Sequence, residues 1–575
     1  MKWVASLKHN VVKMDSHPFG FTVRQLSAQE TIADLQQFHG ANILIHASII
    51  KSEVKLTQSN FEQALRKLVD FQPTLRMKIA SSVSQDCRSS LTRRFEEMTP
   101  VHIDFMLHLS DKRDSWIRLV EDEMATAFNS QTGPLWKVMY VEMPPPAQHS
   151  NGNGSLNYGT LQSQAASESH ITIHSGPTSF ISMSTAPPEP QLSYNHEGVL
   201  IFKIHHAIAD GVSMMSLIQD QFLHILKGLL TSGSLPSFSI PSHIMPAADS
   251  AFKNPKLTGK YLRIINYENA ISARTLKPPV QGVHPPPVPL IGSPTGLVAT
   301  PRNTAKVWCY KLPRALGKAI KDTCQRYRVT LEDTLIFGAC HALAFNTDGG
   351  NMKLPGDSVL CSHATDLRQF QRKHGNVHPL GMWKGYDVKR FKVKEHSNIS
   401  TSDKFWKAVG KFASSQSGAR RPWSSTRVYQ DLLEVVQANA NVRPVAEMYK
   451  SHMEISVFHK EAQSDRIPSD YASQGPLTQT PNANWVNLAE QYVFCSVSDL
   501  SNSPMSLSFV FYGERAYCNV TYNSHWLSED FIKAFVIAHT RIMTRVTLTG
   551  SGHSLQKNKI SKKIVAVQRA KNLKR

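Results

Sequence analysis

The most constraining feature of this chain is a short apolar strand that runs straight into two histidines. Val199-Leu200-Ile201-Phe202-Lys203-Ile204 leads without a break into His205-His206-Ala207-Ile208-Ala209-Asp210-Gly211. From Ser213 to Leu230, Met214, Leu217, Ile218, Phe222, Ile225 and Leu229 then recur at the spacing of an amphipathic helix. A buried strand, a polar turn and a helix in that order read as one unit of an α/β sheet. Adjacent side chains of a strand point to opposite faces, so only one histidine can face a given cleft, and the other packs.

A neutral imidazole, with an ordinary pKa near about 6.5, is suited to taking a proton from a hydroxyl or amine as it attacks a thioester carbonyl. Such a reaction needs no covalent serine or cysteine intermediate. An aspartate four residues after the second histidine can hold the turn through an arginine, and the glycine after it permits a close approach. Two histidines alone read better as packed residues; Asp210 and Gly211 at the strand-to-helix junction tip the balance towards chemistry. No metal site is expected, because strand neighbours on opposite faces do not share one ion and no third ligand is apparent.

The rest of the chain divides around this unit. Phe61, Leu65, Leu68 and Val69 share one helical face, and Trp116 to Phe128 reads as a helix carrying Trp116, Leu119, Val120 and Met124 inward. Gly133-Pro134 breaks the chain before a strand over 135–141. Later, 314–327 and 331–343 read as helices, with Thr330 capping the second. Strands follow at 358–362, 505–511 and 516–522, then a helix over 529–545. We read an N-terminal extension (1–18), an N-terminal lobe (19–230) with a Ser/Gly/Asn-rich insertion at 144–198, a Pro-rich crossover (231–302), a C-terminal lobe (303–550) and a basic tail (551–575). The Asn151-Gly152-Asn153-Gly154 run has no strand before it and no helix after it, so it is a linker and not a phosphate loop.

Composition narrows the class. With 575 residues, 41% hydrophobic and 19% charged, two globular domains are expected. No run reaches the roughly 20 apolar residues of a membrane span, and no signal-like segment opens the chain, which points to the cytoplasm. The seven cysteines are scattered, with no Cys-x-x-Cys pair, and most read as small buried residues. A formal charge of +20 favours anionic partners, among them a phosphorylated cofactor, an acidic carrier protein or a membrane face. Eight Lys or Arg between Lys557 and Arg575, with no acid, read as a solvated or membrane-grazing extension and not as catalytic machinery. No nucleic-acid motif with interleaved aromatics occurs, so nucleic acid is not an expected partner.

The chain resembles the CoA-dependent acyltransferases of chloramphenicol acetyltransferase-like fold. The similarity is greatest to the branch with condensation domains, alcohol acetyltransferases and wax ester synthase/diacylglycerol acyltransferases. His205 to Gly211 matches the HHxxxDG signature in full. Gln25 to Glu30, Phe71 to Arg76, Gly133 to Trp136 and Thr365 to Arg368 occur in the family's order. The resemblance implies two α/β lobes forming a pseudo-dimeric V, with the signature at their junction and acyl-CoA as co-substrate, no cofactor being held permanently. It further implies His206 as general base, His205 as structural, and Asp210 in a salt bridge. Arg76 is the first choice as its partner, from the family's Leu-Arg position, and Arg368 the second. Ser501 or Asn502 could donate to the oxyanion. Three departures leave the branch open: Glu332-Asp333 stands where Asn-Asp is usual, a late Gly-rich signature is replaced around Asp499 to Pro504, and Asp-Phe-Gly-Trp is absent. The expected reaction is acyl transfer from acyl-CoA to a small alcohol or amine. The alternatives are a condensation enzyme fed by an acyl carrier protein, or a non-catalytic binding member of the fold.

Overall fold

The computed structural model describes residues 10–14, 24–37, 40–83, 91–144, 195–232, 244–248, 305–345, 358–370, 380–396, 399, 401–415, 451–460, 486–498, 501 and 503–548. In chain order the first half gives strand β1 (Asn10–Met14), helix α1 (Ala28–Gln37), β2 (Ile43–Ser52), α2 (Gln58–Phe71), β3 (Met77–Val83) and β4 (Leu91–Glu97). Next come β5 (Val101–Leu109), α3 (Ser115–Met124), β6 (Trp136–Glu142) and β7 (His196–His205). The helix after the histidines has three parts: α4 (Gly211–Ser216), a π-helical stretch (Leu217–Phe222) and α5 (Leu223–Ser232).

The second half opens with β8 (Ala305–Leu312), α6 (Arg314–Tyr327), α7 (Leu331–Phe345) and β9 (Ser358–Asp366). A 3-10 turn (Leu367–Phe370), β10 (Lys384–Lys392), short α8 (Val393–His396), α9 (Ser402–Ser415) and β11 (Met453–Lys460) follow. β12 (Val486–Cys495), β13 (Met505–Tyr512), β14 (Arg515–Asn523) and α10 (Glu529–Leu548) complete it.

Among the described residues these elements form two six-stranded sheets, ordered β1-β5-β6-β7-β2-β12 and β10-β9-β11-β13-β14-β8, beside the two-stranded β3-β4. The chain therefore has the expected two-lobed α/β architecture. The division at residue 303 is not clean, however. β12 comes from the C-terminal half yet pairs antiparallel with β2, from Val486 opposite Ser52 to Cys495 opposite Leu44. Without it, β2 would be an unpaired edge beside the histidine strand.

Each sheet is covered by helices that the apolar periodicity marks. Thr57 caps α2 in a reciprocal box with Asn60, and Phe61, Leu65, Leu68 and Val69 are buried. The Phe61 ring lies 4.5 Å from Tyr140 and 5.3 Å from Phe105, joining helix to sheet. In the second lobe Phe337 of α7 meets Phe391, Phe405 and Phe412 at 5.1–5.5 Å. Thr330 caps α7: the Asp333 N–H donates to its Oγ1.

Two helices differ from the sequence expectation. α3 ends at Met124 instead of continuing to Phe128, because the Phe128 N–H and carbonyl are both taken by the Gln37 side chain of α1. The helix after the histidines widens over Leu217–Phe222, and in that stretch Gln219 meets Gln491 of β12 while Gln221 meets Gln72. Most of the 144–198 insertion and the crossover, the whole basic tail and Asn502 lie outside the described residues. Among the described residues no helix is long and apolar enough to cross a membrane.

Candidate active site

β7 sits between β6 and β2, which buries its end. The two histidines there have opposite tautomers, fixed by what surrounds each ring. His205 Nδ1 accepts from the Ala207 N–H at 3.0 Å, so its proton is on Nε2, which donates to Asp34 Oδ1 at 3.1 Å. Asp34 is also ion-paired with Arg93. Burial, helped by the Arg93 charge, pulls the His205 pKa down to about 3, so the ring is a neutral packing element.

His206 reverses this pattern. Its Nδ1 lies 2.7 Å from the Ala209 carbonyl, and a carbonyl only accepts, so Nδ1 carries the proton. The neutral ring then has its lone pair on Nε2, and among the described residues no protein group hydrogen-bonds that atom. Burial lowers the His206 pKa to about 4, and Lys384 adds to the effect, against the raising influence of the Ala209 hydrogen bond and of Asp210. The ring is unprotonated across the neutral range, with a fixed tautomer and an available base.

Asp210 closes the turn and ties the lobes together. Its Oδ1 accepts from the Ser213 N–H at 2.9 Å, capping α4. Its Oδ2 accepts from Arg368 Nη1 and from the Trp383 N–H, both at 2.7 Å. Arg368 also donates to the Gly381 carbonyl at 2.8 Å. Burial works to raise the Asp210 carboxyl, but Arg368 and the hydrogen bonds outweigh it and hold it below the usual carboxylate range. The pairing with Arg76, the first choice from the sequence, does not form. Arg76 is buried within the first lobe, paired with Glu97 at 2.9 Å and donating to the Val69 and Asp70 carbonyls at the end of α2. The end of a helix with open carbonyls is a ready partner for a guanidinium, and it holds this one.

Gly211 is required by contact. A Cβ there would lie 2.4 Å from two carbons of the Phe458 ring, on β11 of the other lobe. The Ser501 Oγ accepts from the Ser498 N–H at 2.8 Å within its own turn, a bond that does not use its O–H. Beside His206, Lys384 pairs with Glu454 at 2.7 Å. Burial works to raise the Glu454 carboxyl, but Lys384 overrides it and keeps it ionised. Asp34, Arg93, Trp383, Lys384, Glu454 and Phe458 were not anticipated from the sequence. Each is one charged or aromatic residue far along the chain from the histidines, with no spacing to mark it. Among the described residues no cluster of three or more His, Cys, Asp or Glu could hold a metal.

The quoted flanking pieces are structural. Gln29 of α1 donates to the Lys384 carbonyl at 2.5 Å, across the junction. Trp136 donates its indole N–H to the Leu75 carbonyl at 2.7 Å, joining two of the pieces.

Solved structures share this fold across nearly the whole chain. The trichothecene 15-O-acetyltransferase of Fusarium sporotrichioides superposes with a TM-score of 0.58 at 11% identity, over 93% of this chain and 99% of that one. The chain has the acyltransferase and condensation-domain fold. The first condensation domain of the CDA synthetase gives 0.53 at 12% identity, covering 93% and 98% of the two chains. The condensation domain of the Monacolin K polyketide synthase MokA gives 0.51 at 11%, covering 92% and 98%. No family model and no curated protein matches the sequence.

Proposed function

We propose that the protein transfers an acyl group from a thioester to a hydroxyl or amine, with His206 as general base. The observation that carries this reading is the His206 tautomer: Nδ1–H is held by the Ala209 carbonyl, which leaves Nε2 as the basic atom. In the reaction Nε2 takes the acceptor's proton as its oxygen or nitrogen bonds to the thioester carbonyl carbon. The C–S bond then breaks, and the departing thiolate recovers the proton from Nε2. Asp210 does not touch the imidazole; through Arg368 and Trp383 it fixes the turn that aims it. Acyl-CoA is the proposed donor, the net positive charge favouring its phosphates.

Release of free thiol from acetyl-, octanoyl- and palmitoyl-CoA, with a mixed panel of alcohols and amines, tests the proposal. Turnover in the wild type that disappears in His206→Ala is the expected result. Turnover that persists in His206→Ala would remove His206 as the base. Silence with every CoA donor, but activity with an acylated carrier protein, would move the chain to the condensation reading.

A further inference from the structure

Three helices on the outer side of the second sheet bring their ends together. Gly338 of α7 lies so close to α10 that a Cβ there would meet Met543 Sδ at 2.8 Å, and one turn on His341 feels the charge of Arg545. The two helices therefore run side by side in the same direction and finish together, at Phe345 and Leu548. α9 starts at the same place: Ser402 Oγ and the Trp406 indole N–H both donate to the Val546 carbonyl, at 2.6 and 3.0 Å.

Charge is segregated along these helices. The acids of α7 and α10, Glu332, Asp333, Glu529 and Asp530, stand in the first turns, at the far end. Towards its last turn α10 exposes Arg541, Arg545 and Leu548 at helix spacing. α9 buries Phe405, Trp406, Val409 and Phe412 and turns Lys404, Lys407 and Lys411 outward along one stripe. The helix dipole accounts for acids at helix starts and for Arg545 near an end, but it opposes lysines in the first two turns of α9. Of the acids beside this stripe, Asp403 is engaged by the Tyr327 hydroxyl and Glu395 by Lys392. Among the described residues the exposed large apolar side chains are Leu109, Phe345 and Leu548, and two of the three, Phe345 at 39% and Leu548 at 48%, stand at this end. From 549 to 575 the sequence adds eight Lys or Arg and no acid.

We infer that this end of the second lobe docks on an anionic lipid surface, with Phe345 and Leu548 entering the headgroup layer and the cations of α9 and α10 lying over it. Two isolated apolar side chains do not form the continuous patch that a protein partner covers. They suit shallow insertion among cations whose alkyl stems lie along the same boundary. The chain that continues from Leu548 leaves from this face, so its cations are tethered where they add to the attraction. Val510 and Tyr517 pack on the first lobe from the other face of the same sheet, so docking here keeps the His206 turn on the side away from the lipid. The inference is independent of the acyl-transfer reading.

Flotation of the full chain with vesicles tests it, comparing phosphatidylcholine alone with phosphatidylcholine mixed with phosphatidylserine, at low and high salt. The wild type should float with the mixed vesicles at low salt only. The double variant Lys407→Gln with Lys411→Gln should weaken that binding roughly tenfold or more, and Phe345→Ser with Leu548→Ser about threefold to tenfold. All four positions are exposed, and a thermal midpoint for each variant shows that the fold is kept. No flotation of the wild type with the mixed vesicles overturns the inference. Binding that neither double variant weakens also overturns it and assigns attachment to the sequence beyond Leu548 alone. Polyglutamate, bound as tightly as the mixed vesicles and without any contribution from Phe345 and Leu548, would replace the lipid surface with an acidic protein.

Discussion

Two strand ends meet at the lobe junction, and they are built on opposite principles. The turn after β7 presents a neutral imidazole whose proton is fixed by a backbone carbonyl, in surroundings that exclude charge from both histidine rings. The turn after β9 and the segment leading into β10 present charge instead: Asp366, Arg368 and Lys384, each with a named counter-ion. In the proposed reaction the first region supplies the basic atom, and the second supplies charge beside it and a clamp on its turn. The imidazole and its tautomer are thus set within the first lobe, while the clamp on the turn comes from the second.

The largest expected effect comes from breaking the first turn. His206→Ala should cost about a hundredfold to ten-thousandfold in kcat/KM per folded molecule, beyond whatever the loss of this buried ring does to the thermal midpoint. His205→Ala should act chiefly on stability. It empties a buried site and leaves Asp34 and the Ala207 N–H without that partner, at about 2–4 kcal/mol of stability by denaturant titration. If His205→Ala removed turnover from a stable protein while His206→Ala kept it, the assignment of roles would be reversed.

Breaking the second turn is next. Arg368→Ala leaves the buried Asp210 carboxylate without its guanidinium, a loss of about 3–5 kcal/mol. Arg76→Ala also destabilises, but through Glu97 and the end of α2. A double-mutant cycle separates them: coupling of about 1–3 kcal/mol is expected for Arg368 with Asp210, and additivity within about 0.5 kcal/mol for Arg76 with Asp210. Coupling of Arg76 to Asp210 would contradict the geometry.

This pair also shows what the sequence could and could not say. The strand, the turn and the apolar faces of α2 and α10 follow local periodicity, which one sequence displays. The choice between Arg76 and Arg368 depends on which arginine crosses the junction, and nothing local to either reveals that. β2 went unread although Ile43, Leu44 and Ile45 are apolar, because its partner β12 lies more than four hundred residues away and joins from the other half. Similarly, the sequence marks 505–511 as a strand, and in it Ser506 and Ser508 alternate with Leu507 and Phe509. That the serine face is buried, not solvated, follows only from how the lobes pack.

A smaller effect is expected where the two regions touch directly. Gly211→Ala drives a methyl group into the Phe458 ring, so about 1–3 kcal/mol of stability or a displaced turn should result. Combining it with Phe458→Leu should recover part of the loss, since the leucine side chain can withdraw. No recovery in the double variant would mean that the glycine serves the turn's own backbone and not the lobe contact.

The finest test is the pH dependence, where the field of the second region acts on the base of the first. His206 is depressed from about 6.5 to about 4, so the fraction in the base form rises with pH through about 4 and is complete well below neutrality. The acid limb of kcat/KM should therefore lie near 4, with a level profile above it, and a limb near 6.5 would mean a solvated ring. Stability has its own window. The unfolded chain takes up protons below about 6.5 that the buried His205 and His206 refuse, so their contribution is full above that value and declines as pH falls towards 4. Activity must accordingly be expressed per folded molecule. Lys384→Met removes one of the two influences that lower the His206 pKa, so the acid limb should move upward. An unmoved limb would assign the depression to burial alone and reduce the second turn to a mechanical clamp.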